Sequence, residues 1–168
     1  MTYDDCVELL QRRGVTLTSI SEIVYQLQHP YNAVLKQEDC LDSVKAILRK
    51  REVQYTLLTG ITLDILAEQQ LLPEPLQSIM EADESLYGVD ETLALGITNM
   101  FGTIALTSFG YLDKAKVGII QQLNNKGDHV HVFLDDLVAG LAAAASARIA
   151  HHDVNARQYD VSENIDEV

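Results

Sequence analysis

The chain has 168 residues, 47% of them hydrophobic, with only three prolines and nine glycines. That is enough apolar material for one core without disulfide or metal staples, and scattered β-branched residues favour helices over sheets. A net charge of −13 and a pI near 4.6 argue against nucleic-acid binding and against simple adsorption to anionic lipid, and favour attraction of metal cations.

Residues 3–13 read as a first helix, with Val7, Leu9 and Leu10 on its apolar side and Gly14 after its end. A second helix starts at Thr18 or Ser19, where Ser19 and Glu22 have capping-box spacing, and buries Ile20, Ile23, Val24 and Leu27. His29-Pro30 stops it. A third helix over 37–51 repeats Cys40, Leu41, Val44, Ile47 and Leu48 at helical spacing. A fourth, over 53–70, carries Leu58, Ile61, Ile65 and Leu66 as its stripe. Pro73 and Pro75 precede a short fifth helix over 74–82. Residues 84–89 form a loop hinged at Gly88.

Asp90 caps a long sixth helix expected to reach Gly110. Residues 92–112 hold no charge and match a bilayer in length, but their threonines, Asn99 and glycines suit the buried central helix of a bundle. A seventh helix covers 113–123, and residues 124–128 (NNKGD) are the strongest turn signal. The last helix runs from Phe133 or Leu134 to His151, through the small-residue stretch LAAAASARIA. The expected fold is therefore all-α: a single-domain helical bundle over 1–152, with a central apolar helix and about five to seven others around it. An acidic, loose tail follows over 153–168. Cys6 and Cys40 form no CxxC pair and fit as small core residues. The N-terminus is acidic where a secretory signal is basic and then apolar, so a cytoplasmic location is expected.

Most acids fall on polar helix faces, but a few border the most apolar helices. Asp90 and Glu91 open the uncharged run, Asp113 closes it, and Asp135 and Asp136 sit beside Phe133, Leu134, Leu137 and Val138. Charges beside a core are costly unless paired or bound to a cation. Carboxylates converging from several helices suit a hard divalent ion such as Mg²⁺. The same residues also fit helix-end roles: Asp90 as an N-cap, Asp113 as a helix start, and Asp135-Asp136 as partners of a helix dipole. His129 and His131 form an HxH that suits zinc or a structural role. No phosphate-binding glycine loop, nucleophile elbow or HExxH is present.

In order, Gly88-Val89-Asp90-Glu91 opens an apolar helix, Asp113-x-x-Lys116 follows, and Asp135-Asp136-x-x-Ala139-Gly140 lies in the last helix. This series resembles the VxDE, DxxKP and DDxxAG segments of the phosphatidylglycerophosphatase A family, and is most similar to its low-temperature requirement C branch. The resemblance implies a helical bundle and Mg²⁺-dependent hydrolysis of phosphatidylglycerol phosphate to phosphatidylglycerol. It implies metal-holding roles for Asp90, Glu91, Asp113, Asp135 and Asp136, and a catalytic role for Lys116 beside Glu91 and Asp136. The chain departs from the pattern in several places. Gly88 replaces the first valine, Val117 replaces the proline, and Asp128-His129 replaces a pair of glycines. Residues 1–72 are amphipathic where the family's membrane enzymes have a Gly/Pro-rich apolar segment.

Two other readings compete. One is a non-catalytic helical module that binds a metal or ligand for regulation. The other is a helical nucleotide pyrophosphohydrolase, for which the paired ExxE motifs are missing. The implied partners are a phospholipid or other phosphate monoester and peripheral contact with the inner face of the membrane. The alanine-rich last helix and apolar fourth helix also offer surface for a homo-oligomer.

Overall fold

The apolar periodicities become helices throughout the computed structural model, which describes residues 2–124 and 129–152. In chain order these are α1 (Tyr3–Arg12), α2 (Leu17–Gln28), α3 (Gln37–Leu48), α4 (Arg51–Glu68), α5 (Leu76–Ala82), α6 (Val89–Thr98), a 3₁₀ turn (Asn99–Phe101), α7 (Gly102–Ala115), α8 (Ile119–Asn124) and α9 (Leu134–His151). Among the described residues there are no strands. The expected turn lies outside the described residues from 125 to 128, as does the expected tail over 153–168.

Local signals set the helix starts. Thr2 and Asp5 close a capping box on α1. On α2 the box is Thr16 with Ser19, one turn before the expected Ser19–Glu22 pair. Buried Val15 and Ile20 flank it at the positions of a hydrophobic staple, which draws the helix start forward. Cys6 and Cys40 are fully buried, and burial pushes both thiols up to about 11.

The fold is all-helical and built around one central apolar helix, but that helix is α9. Every residue from Leu134 to Ala147 is buried, and α9 packs against α2, α3, α4, α6, α7 and α8. Its small side chains let neighbours approach on every side. Where α6 crosses, a β-carbon on Gly140 would lie 3.2 Å from the Ala94 carbonyl oxygen. Where α4 crosses, one on Gly60 would lie 2.6 Å from Leu137 Cδ1.

The expectation that the uncharged run forms the central helix is corrected. It breaks at the 3₁₀ turn, where Gly102 takes a left-handed φ of 77°. The two halves become α6 and α7, laid against α9 from outside. By length and composition alone, Val89–Ala115 could cross a membrane, yet only 28% of its most apolar window is buried. One side of each half faces α9, while the other shows threonines and glycines to solvent together with Met100, Ile104 and Tyr111.

Candidate active site

The first turn of α9, the start of α6 and the end of α7 meet around a cleft of about 480 Å³. Asp90, Glu91, Asp113, Lys116, Asp135 and Asp136 all line it, together with Tyr87, Gly88 and Asn124. The fold thus brings all six expected site residues to one place.

Their helix positions differ in detail from the expectations. Gly88, with φ of 63°, is the N-cap of α6, so Asp90 sits inside the first turn and accepts a hydrogen bond from the Glu91 backbone N–H at 2.9 Å. Asp135 repeats that arrangement on α9, accepting from the Asp136 N–H at 3.0 Å. Asp113 ends α7 rather than starting the next helix. Lys116 follows it with φ of 45°, a left-handed conformation that costs a non-glycine residue about 1 kcal/mol or more. The turn brings the lysine back over the cleft, where Nζ donates to Asp113 Oδ1 at 2.8 Å and Asp135 Oδ2 at 3.0 Å and lies 3.4 Å from Asp136 Oδ1.

One lysine does not neutralise this many acids. Burial works against the Lys116 ammonium, but Asp135, Asp113 and Asp136 outweigh it and hold its pKa above the ordinary lysine range. Asp136 is 4% exposed, and burial followed by the Asp135 charge pushes its carboxyl up to about 8, despite Lys116. Among the described residues the cleft lining therefore holds more carboxylates than cations, and its hard oxygen donors are a set that fits a divalent cation such as Mg²⁺. Among the described residues, no three His, Cys, Asp or Glu side chains are already gathered as a ligand cage. Lys116 contacts three of these acids at once.

Sequence reasoning missed the groups that aim the first turn of α9. Asp64, fully buried on α4, accepts from the backbone N–H of Phe133 and of Leu134, both at 3.0 Å. It caps, from another helix, the end that carries Asp135 and Asp136. Burial pushes its carboxyl up to about 7, while the two backbone bonds restrain the rise. One turn further along α4, Glu68 pairs with Arg13 through both oxygens, with one contact at 2.9 Å. Glu68 also accepts from Val130 N at 2.9 Å, and Arg13 donates to Val130 O at 2.8 Å. The Arg13 hydrogen bonds lead in holding the Glu68 carboxyl down at about 2. His129 and His131 face this pair, His131 Nδ1 lying 3.1 Å from Arg13 Nη2, so the HxH serves the α9 approach outside the cleft lining.

An all-helical bundle with a carboxylate-and-lysine cleft at the N-terminal end of its central helix is the class that fold and site define. The family model of phosphatidylglycerophosphatase A matches residues 7–151. The chain belongs to that family, whose membership points to phosphatidylglycerophosphatase-like chemistry. It is 54% identical over 144 residues to the uncharacterized protein YpjQ of Bacillus subtilis, covering 86% of this chain and 81% of YpjQ. It is 51% identical to the uncharacterized protein YutG of the same organism, covering 84% of this chain and 86% of YutG. Its fold is similar to the crystal structure of the low temperature requirement C protein from Listeria monocytogenes, with a TM-score of 0.86 and 49% identity over 89% of this chain and 94% of that one.

Proposed function

We propose that this protein is a Mg²⁺-dependent phosphatase that hydrolyses a phosphate monoester, with phosphatidylglycerol phosphate as its substrate. The observation that carries the reading is the meeting of five carboxylates and Lys116 in one cleft, whose described lining holds more carboxylates than cations. Asp90, Glu91, Asp113, Asp135 and Asp136 are the residues that would hold the ion. When bound, Mg²⁺ supplies neutralisation of phosphate charge and acidifies water.

The chain's own groups account for the rest. Lys116 offers a fixed ammonium to the phosphoryl oxygens, where charge accumulates as the ester bond lengthens. A carboxylate left outside the metal shell, Asp136 or Glu91, takes the proton of the attacking water. Water oxygen bonds to phosphorus, the P–O ester bond breaks, and the departing alcohol oxygen takes up a proton. On this reading the protein works from the cytoplasm and meets its lipid at the inner face of the membrane.

The three contacts of Lys116 Nζ favour a second reading, in which the acids are locked by the lysine and the module binds a ligand without turnover. Phosphate release from short-chain phosphatidylglycerol phosphate, with and without Mg²⁺, separates the two. The expected result is Mg²⁺-dependent release, lost in Asp113→Asn and Asp135→Asn and reduced about 10²-fold or more in Asp136→Asn. Release that survives both chelation and these substitutions removes the catalytic claim. Absence of release from the unaltered chain favours the second reading.

A further inference from the structure

Acids outnumber lysines and arginines by 25 to 12 in this chain, and several bases have an acidic partner: Arg12 with Glu8, Arg13 with Glu68, Lys45 with Asp42, Lys116 with its three aspartates. Among the described residues Lys36, Arg49, Arg51 and Lys114 form no ion pair with an acid, and neither do the bases gathered at the far end of α9. There Lys50, Arg148, His151 and His152 surround a hollow of about 460 Å³, and among the described residues none has an ion pair to an acid. An 18-residue helix separates this end from the acidic cleft by roughly 27 Å.

Helix-end electrostatics explains part of the cluster. Arg148 and His151 occupy the last turn of α9, where cations complement the carbonyl end of the dipole. It does not explain Lys50, which comes from the junction of α3 and α4 and lies over the Phe101 ring, 5.5 Å from its centroid. Nor does it explain why, among the described residues, Lys50 and Arg148 stand together with no acid paired to either.

The groups are also held in place. Arg148 Nη1 lies 3.5 Å from Ser43 Oγ, whose hydroxyl donates to the Ala145 carbonyl at 2.9 Å. His151 Nε2 meets the Phe101 carbonyl at 3.3 Å and His152 Nδ1 meets the Arg148 carbonyl at 2.8 Å. Each imidazole thus spends its ring N–H on a backbone carbonyl, and its other nitrogen donates to an anion only when the ring carries a second proton. A guanidinium fork and an ammonium around one hollow form a recognition set for a tetrahedral oxyanion, which the two imidazoles join as donors when protonated. The same hollow is walled by Ile47, Met100 and Phe101, which suit an organic body attached to that anion.

We infer that this hollow is a second ligand site, for an anion of the phosphate class, remote from the acidic cleft and independent of its proposed chemistry. The anion comes either free or as the headgroup of an anionic lipid.

The test uses the full chain, including its acidic residues from Asp153 onward, in metal-free buffer with inorganic phosphate as the probe. Affinity is read by calorimetry and by the imidazole proton resonances of His151 and His152. Saturable binding is expected, weakened at least about tenfold in Arg148→Gln and in Lys50→Gln and unchanged in Lys116→Met. A parallel arm measures co-sedimentation with phosphatidylcholine vesicles with and without phosphatidylglycerol. Capture only by the anionic vesicles, lost in the same two variants, identifies the lipid headgroup as the source. Circular dichroism checks that each variant is folded. No binding in either arm, binding indifferent to Arg148→Gln and Lys50→Gln, or binding lost only in Lys116→Met overturns the inference.

Discussion

Asp64 occupies the middle of the buried face of α4, where an unpartnered carboxylate would cost several kcal/mol. It is tolerated because the first N–H groups of α9 need acceptors and water cannot reach them. Replacing it with alanine leaves the Phe133 and Leu134 N–H groups without a partner inside the core. Asp64→Ala should therefore lower unfolding free energy by about 2–5 kcal/mol, while Asp64→Asn, which keeps one acceptor oxygen, should cost less; urea denaturation measures both. The motif acids could be read directly from the sequence because they recur in a known order. Asp64 belongs to no such motif. The stripe read through Leu58, Ile61, Ile65 and Leu66 is rotated from the true face, which runs Val53, Leu57, Gly60, Ile61, Asp64, Ala67, with Leu58 39% exposed. A helix with apolar residues on several sides leaves its orientation ambiguous. The available signal was an acid interrupting a row of apolar residues at helical spacing.

Helix crossings decide what a glycine does, and the helices of this chain contain glycines of both kinds. A β-carbon at Gly60 would meet Leu137 Cδ1 at 2.6 Å, Phe133 Cβ at 3.0 Å and Leu93 Cδ2 at 3.2 Å, whereas at Gly96 in α6 it would meet nothing within 4 Å. Alanine gains about 1 kcal/mol over glycine inside a helix, and overpacking a core costs about 1–3 kcal/mol. Gly96→Ala should accordingly raise stability by up to about 1 kcal/mol, and Gly60→Ala should lower it by about 1 kcal/mol net. Opposite shifts in denaturation midpoint are the check; a gain in both would mean that α4 can move away from α9 at no cost. At this scale most helices were legible from periodicity, but the central one was not. Hydropathy favours the uncharged run over 92–112, while close packing favours small side chains, and Ala142–Ala145 on α9 won the centre. The break falls at Gly102, but Gly96 and Gly110 lie inside α6 and α7, so a glycine in the run did not by itself mark it.

At the scale of the whole molecule, the described residues sort charge along α9, with clustered acids at its N-terminal end and basic groups at its C-terminal end. The acidic end sets a pH dependence whose sign follows from burial. Asp136 and Asp64 keep their protons to about 8 and about 7 in the folded chain, against an ordinary aspartate value of 3.8. Between those limits the native state binds more protons than the unfolded one, so the contribution of these groups is fully present below about pH 4 and is lost as pH rises through their folded values. The loss is at most about 1.4 kcal/mol per pH unit for each group. Glu68, held at about 2, acts oppositely, and its contribution fades only as pH falls below about 4.5. In metal-free buffer the melting temperature should therefore be higher at pH 5 than at pH 8. Asp136→Asn should flatten that slope and raise the melting temperature at pH 8, because it removes the carboxyl that resists ionisation. Added Mg²⁺ should stabilise the unaltered chain by mass action at pH 8 and have little effect at pH 5, where protons compete for the same oxygens. Thermal scans of both chains at both pH values, with and without the ion, test the whole pattern. An equal Mg²⁺ shift in a double Asp113→Asn, Asp135→Asn variant would mean that the ion acts elsewhere on this acidic surface, and the cleft would lose its claim to it.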